Sequence, residues 1–452
     1  MRQMRGGATV LALAGALGLA CPPAHANPLD AFGYGSRAAA MGSAYAAVAA
    51  DGAAGYYNPA GLARAAGLAI DVGYQAAVPE LHLSGVRQPI EPTRGMLAGI
   101  VAPGHLGPVR FAFGITLFLP DQHITRLRVL RFETPRLQLY DNRTQRLFFA
   151  ANLALHLGWG LHLGGGLSFM SRTRGTVHLR GRVAIGDADD SALWSSTDVD
   201  LVALRYPQLG LVWLLGQHLA LAAVYRHSFV LEIDQAFEIT ADLGNPGQEP
   251  VVRGARLSQR AQSTDLFQPW QVVLGAALRV PGLEQLLLSL DVTFARWSEM
   301  PVPAARYELS LDIGRFNDLV RLQPSASFPP PGFSDILIPA LGAEWQAAQG
   351  LLRGHLDLDV RGGYRYEPSP VPEQEGDSSF GDADKHTFSL GAGATLRRLS
   401  EILPRPLSLD VHLALTALPE RSFRKRDPRS PVGDFTAGGV VVQVGGHLRW
   451  SM

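Results

Sequence analysis

Sulfur is nearly missing from this chain. Its 452 residues hold one cysteine, Cys21, and seven methionines. With Cys21 inside a removable leader, no disulfide, thiol catalyst or thiolate metal site is available. Lysine is almost as scarce, with Lys385 and Lys425 the only two. Charge is thin: 18% of residues are charged, and 40 basic side chains balance 40 acidic ones. That leaves no basic surface for nucleic acid. Long hydrophobic runs are absent as well. Beyond the first two dozen residues no stretch of ~20 apolar residues is free of charge, so no transmembrane helix is predicted. Yet 47% of the chain is hydrophobic, and those residues must be covered some other way.

Residues 1–26 read as a cleaved export signal: Arg2 and Arg5, an apolar stretch Val10–Ala20, then Ala24-His25-Ala26 as a small-x-small site. The rival reading is a lipoprotein acylated at Cys21, but Gly18-Leu19-Ala20 poorly fits the aliphatic-small-small pattern which that cleavage favours. The mature chain is expected to start at Asn27.

The apolar residues that remain alternate. Leu153, Leu155, Leu157, Trp159, Leu161 and Leu163 interleave with Asn152, Ala154, His156, Gly158, Gly160 and His162. The same beat returns at 356–366, 407–416 and 440–450. Strand residues point alternately to opposite faces, so one face is large and apolar and the other small or polar. Fourteen strands are predicted between 68 and 450, among them 218–239, 255–280 and 284–311 as continuous elements. A soluble β-sandwich would also alternate. Three features argue for a barrel instead. Asp357, Asp359 and Arg361 need a wide, wet face; Trp159, Trp297 and Trp450 fall near strand ends, where an aromatic girdle belongs; and connections are long after odd strands and tight after even ones. The predicted architecture is all-β: a transmembrane antiparallel barrel, 68–452, preceded by residues 27–67 as a small helical hatch inside the lumen. Within the hatch, "AAAMGSAYAAVAADGAAGYYNPAGLA" (Ala38–Ala63) reads as a short helix over 38–50 ended by Asp51-Gly52. Its small side chains suit close approach to a wall.

Three groups of residues resemble the Gram-negative outer-membrane long-chain fatty acid and aromatic hydrocarbon transporter family. The first is Gly33, Gly35, Arg37, Met41, Gly42, Asp51, Asn58, Pro59 and Ala60. The second is Ser369-Pro370-Val371-Pro372, followed by Asp382, Asp384 and Lys385. The third is Arg296-Trp297-Ser298. At 381–385 the chain departs from the family, which more often has proline before the first acid and arginine after the second. The resemblance implies a fourteen-stranded barrel with a hatch, passive uptake of fatty acids or hydrocarbons, and lateral exit through the wall. Leu119 and Pro120 fall close to the family's kink in the third strand, although Pro120, which lacks an N–H, could simply end the strand. It also implies no cofactor, no enzymatic activity, a monomer in contact with outer-membrane lipid, and insertion by the barrel assembly machinery. A non-transporting barrel that docks secreted or assembled proteins is the alternative function.

Competing chemistry is sparse. Gly33-x-Gly35-x-x-Ala38 mimics a dinucleotide fingerprint but follows a signal peptide rather than a strand. Strand neighbours His227 and Ser228 face opposite sides and cannot share a proton; His82 and Ser84 lack a third member. Asp187, Asp189 and Asp190 lack the glycine and distal glutamate of a calcium loop. No metal ligands are predicted.

Overall fold

Alternation gives each strand one greasy and one small or polar face, and a ring of such strands can turn the first to lipid and the second inward. The computed structural model describes residues 28–122, 134–137, 139–140, 147–184, 192–244, 248–302, 306–319, 330–373, 379–397, 405–430 and 432–452. The leader 1–26 and Asp187, Asp189 and Asp190 lie outside the described residues. The first seven strands are β1 (Ala69–Leu83), β2 (Thr93–Leu106), β3 (Val109–Pro120), β4 (Phe148–Gly158), β5 (Leu161–Ala184), β6 (Ala192–Leu215) and β7 (Leu219–Arg226, resumed at Phe229–Gly244). The second seven are β8 (Val252–Gln268, resumed at Gln271–Arg279), β9 (Leu286–Ala295, resumed at Arg306–Asp312), β10 (Ile336–Gly350), β11 (Leu356–Glu367), β12 (Lys385–Leu396), β13 (Leu407–Phe423) and β14 (Phe435–Ser451). Successive strands pair antiparallel, and β1 closes the ring on β14 from Ala69↔Ser451 to Leu83↔Ala437. In addition, 235–244 of β7 run parallel to 175–184 of β5.

The faces divide as the alternation requires. In β4, Leu153 and Leu157 are each 50% exposed, while Asn152 and Ala154 are buried. In β13, Leu409, Val411, Leu413 and Leu415 face out and Asp410, His412 and Ala414 face in. The connections divide too. Tight turns at 107–108, 159–160 and 216–218 lie at one end, and the long connections 84–92, 121–147, 313–335 and 368–384 at the other.

Three predicted strands differ from the observed ones. The segments 218–239, 255–280 and 284–311 are interrupted at 227–228, 269–270 and, among the described residues, 296–302. Pro269 removes a ladder donor at the second break. At the third, a 3-10 turn Trp297–Glu299 carries the chain off the ladder. Trp297 therefore lies outside any lipid-facing girdle: it is buried, 5.9 Å from the Phe267 ring and 6.1 Å from that of Phe333. Trp159, 95% exposed, and Trp450 do sit at the tight-turn end.

Before β1 come three short helices, α1 (Pro28–Phe32), α2 (Ser36–Ala40) and α3 (Ala54–Tyr57), and a 3-10 turn Pro59–Arg64. The helix predicted over 38–50 is much shorter. It stops at Ala40 because Gly42 (φ 63°) and Ser43 (φ 64°) adopt left-handed backbone that no α-helix continues. Nearly every side chain from Tyr34 to Ala65 is buried, packed with inward-facing residues of the wall.

Candidate functional site

Asn58 shows why the Asn-Pro-Ala sequence is built as it is. Its Oδ1 accepts from Ala60 N at 3.1 Å, capping the 3-10 turn that Pro59 opens without an N–H to satisfy. Its Nδ2 donates to Ala46 O at 2.9 Å within the same segment and to Leu211 O of β6 at 3.1 Å. The seat for this turn is bare backbone. A Cβ on Gly210 would lie 2.0 Å from Asn58 Oδ1, and one on Gly164 would lie 2.3 Å from Ala60 N. Either Gly→Val substitution should therefore displace the turn, lowering the heat-induced unfolding temperature of the purified barrel; an unchanged temperature would show that the wall yields at no cost.

Other residues of the segment bind the wall one by one. Gly33 O accepts from Gln75 of β1, Gly35 precedes α2, and Gly42 N donates to Ser389 Oγ of β12 at 3.0 Å. Met41 is fully buried. Arg37 donates twice to Glu344 of β10, both at 2.7 Å; Glu344 also accepts from Arg361 of β11 at 2.6 Å, and Arg361 reaches Asp410 of β13 at 2.6 Å. Asp51 accepts from Tyr45 Oη at 2.7 Å and from Arg449 of β14, which donates to Asp71 of β1 at 2.8 Å. Burial pushes the Asp51 carboxyl up, but Arg449 and then Arg37 outweigh it and hold it below the usual range. Its ionised form thus stabilises the fold at neutral pH, and that contribution is lost on acidification through the lowered value. Asp291 of β9 accepts from Tyr45 N and Ala46 N, both at 2.8 Å. Thr116 of β3, Asn152 of β4, Gln208 of β6 and Arg226 of β7 bind backbone carbonyls between Gly52 and Tyr57. The segment is thereby bonded to strands all round the ring. These wall partners escaped sequence reading; their one signal was a polar residue on an inward strand face.

Toward the long-loop end the interior becomes apolar. Phe267, Trp297, Phe333 and Phe380 form a chain of ring contacts, and Phe32 of α1, Leu81, Tyr140 and Val371 are buried in the same cluster. The Ser-Pro-Val-Pro loop roofs part of it. Ser369 N donates to Asp384 at 2.9 Å and Ser369 Oγ to Asp382 at 2.8 Å; Lys385 Nζ joins Asp382 at 3.1 Å and Glu367 at 3.2 Å. Pro370 O accepts from Ser334 N, Pro370 and Val371 are buried, and Pro372 is partly exposed. The second motif is thus one staple holding an outer loop over the apolar cluster. Between cluster and N-terminal segment a cavity of ≈ 50 Å³ touches Tyr56, Tyr57, Arg226, Gln271 and Asp291. It has room for a few waters and is far below the ~300 Å³ of a small-molecule pocket.

Pro120 ends β3. It pairs with Gly95 of β2, whereas pairing with β4 stops at Phe118↔Phe148. Asp121 N donates to Arg94 O of β2, so the donor that Pro120 lacks would have pointed to the β4 side. Leu119 faces outward, 37% exposed.

Comparison with known proteins follows the same lines. A family model described as outer membrane protein transport protein (OMPP1/FadL/TodX) matches residues 136–430. Alkane uptake protein A of Marinobacter nauticus is 28% identical over 278 residues, covering 61% of this chain and 54% of that protein. The matched region thus spans about half the length of that curated relative. Among solved structures, a Pseudomonas aeruginosa FadL homologue aligns with a TM-score of 0.54 at 15% identity, covering 96% of this chain and 98% of that one. The Pseudomonas putida toluene transporter TodX aligns at 0.53 and 14% identity, covering 93% and 99%. At such identity these two likenesses speak for the fold alone. The match over well above half the chain decides the family: the chain belongs to the OMPP1/FadL/TodX outer-membrane transport proteins.

Proposed function

We propose that this barrel takes up hydrophobic small molecules, hydrocarbons or long-chain fatty acids, passively across the outer membrane. The observation that carries the reading is the apolar interior toward the long loops, where buried Phe, Trp, Leu and Val side chains fill the space that a porin leaves to water. Such an interior dissolves a hydrocarbon and rejects ions. The name of the alkane uptake relative supports the same cargo class. Residues 27–67 act as a hatch closing the lower lumen, and because the cavity beside them is small, cargo passes only when neighbouring side chains move. The barrel works as a monomer surrounded by outer-membrane lipid, after insertion by the assembly machinery. The test is uptake of labelled hexadecane, toluene and oleate by cells lacking their own transporter. Gain of uptake for at least one of the three with this chain is expected, and no gain for any would refute the reading.

The exit is lateral, near Leu119 and Pro120, where β4 has already left β3. Pro120→Val restores a donor worth only ~1 kcal/mol, so folding should be unaffected. Uptake should fall while capture at the outer loops persists; wild-type uptake by the folded variant would remove Pro120 from the mechanism.

Export uses residues 1–26 as a cleaved signal. N-terminal sequencing of the mature protein is expected to begin at Asn27, and an acylated Cys21 would overturn this.

A further inference from the structure

Beneath the Asn-Pro-Ala turn the wall carries a row of side chains that the uptake reading does not use. His105 of β2 pairs with Arg110 of β3, Arg110 with His156 of β4, and His156 with His162 of β5. Paired residues share a face, and this face is the lumen: Ala112, Ala154 and Gly164, one pleat higher, line the interior below the turn. The row therefore lies about two residues, ~7 Å, on the tight-turn side of the seat of Asn58 and Pro59. In an outer-membrane barrel that is the periplasmic mouth.

The row is basic and accessible. His105 and Arg110 are exposed, His156 is half-buried and His162 is buried. The His156 and His162 rings stack with centroids 4.7 Å apart, and His162 Nδ1 donates to Gly160 O at 3.1 Å, which leaves Nε2 as the nitrogen not engaged by that bond. Arg64 ends the 3-10 turn directly above and, with Arg110, lies within electrostatic reach of His162. Arg64 spends one Nη on Ala47 O and Ala49 O. Among the described residues no carboxylate pairs with any of these five side chains.

We propose that His105, Arg110, His156 and His162, with Arg64, form an oxyanion-binding site at the periplasmic mouth, taking a carboxylate or phosphate group. Two arginines supply fixed donors, and imidazoles become donors when protonated, so an arriving anion finds several convergent N–H groups. The source is either a free anion or the head of an amphiphile whose tail lies along the apolar wall. The proposal depends on the barrel's orientation but not on hydrocarbon uptake, which is measured separately.

The test is calorimetric titration of the full chain in a non-ionic detergent with inorganic phosphate, decanoate and decanol. Arg110→Gln/His156→Gln/His162→Gln should weaken decanoate binding about tenfold, as expected for losing charge-assisted hydrogen bonds, and leave decanol unchanged. An equal loss for phosphate identifies a site for free oxyanions, and a loss for decanoate alone identifies one that also needs the tail. Arg110→Gln by itself, at an exposed position, repeats the measurement where folding is not at risk, and Arg110→Lys should retain most of the affinity. Unchanged anion affinity in the variants, no anion binding by the wild type, or parallel loss of decanol would each overturn the site. Hexadecane uptake is expected to stay at the wild-type level in Arg110→Gln, so failure of one reading leaves the other standing.

Discussion

Deleting Asn27–Leu62 is expected to leave a barrel that still inserts but conducts small ions at least about tenfold better than the intact protein in planar bilayers. Fourteen strands enclose a lumen approaching that of the aqueous porins, so emptying its lower half should admit water. The wall should survive, because β1 to β14 pair with each other and the ring closes through β1 and β14, not through the N-terminal segment. What the deletion exposes is polar: Asp71, Asn152, Gln208, Arg226, Asp291 and Glu344 would lose their partners in the segment but regain water. Heat-modifiable gel mobility checks insertion and folding. Unchanged conductance in a folded deletion variant would mean that the segment does not seal the lumen, and the hatch proposal would fall.

Glu344→Gln should do comparable damage with one atom changed in element. The Glu344 carboxylate sits between Arg37 of the N-terminal segment and Arg361 of the wall, at 2.7 and 2.6 Å. Neutralising it leaves Arg37 without a carboxylate, its remaining side-chain partner being Tyr45 Oη, and leaves Arg361 to Asp410 and the more distant Asp359. Removing one partner of a buried pair typically costs about 3–5 kcal/mol, because the remaining charge stays desolvated. Thermal unfolding in detergent should shift down accordingly, and ion leakage should rise as α2 loosens from β10. Replacing Arg37, Glu344, Arg361 and Asp410 together by leucine or methionine, so that no buried charge is left without its partner, should recover much of the stability. If Glu344→Gln alone unfolds like the wild type, the network is dispensable and the N-terminal segment is held by its backbone contacts.

Much of the wall was legible because alternation is a local property. Leu153, Leu155 and Leu157 against Asn152, Ala154 and His156 define two faces without reference to any other strand. Loop asymmetry then told barrel from sandwich, since only a membrane gives the two ends of a sheet different company. The N-terminal motif was visible as residue types, and Asn58 shows the limit of that view. Its cap on Ala60 follows from the sequence Asn-Pro-Ala, but its bond to Leu211 does not. Trp297 was misread because a tryptophan at a strand end looks the same whether the chain next turns toward lipid or toward the lumen. The strand breaks at 227–228 and 296–302 were hidden for a similar reason: alternation persists across a break.

The sequence by itself determined that this protein is a thiol-poor barrel with a small-residue segment ahead of its strands, since composition, period and loop length each act over a few residues. Only the tertiary structure decided what that segment holds on to. Arg37 meets Glu344 across 307 positions, and Arg449 meets Asp51 across 398. It also decided that His105, Arg110, His156 and His162 stand side by side. Such pairings depend on register and on closure of the ring. A shift of one residue in a single strand would turn every one of its inward groups toward lipid. No local pattern encodes that choice, because it is the ring as a whole that must bury its charges in pairs while keeping its leucines outside.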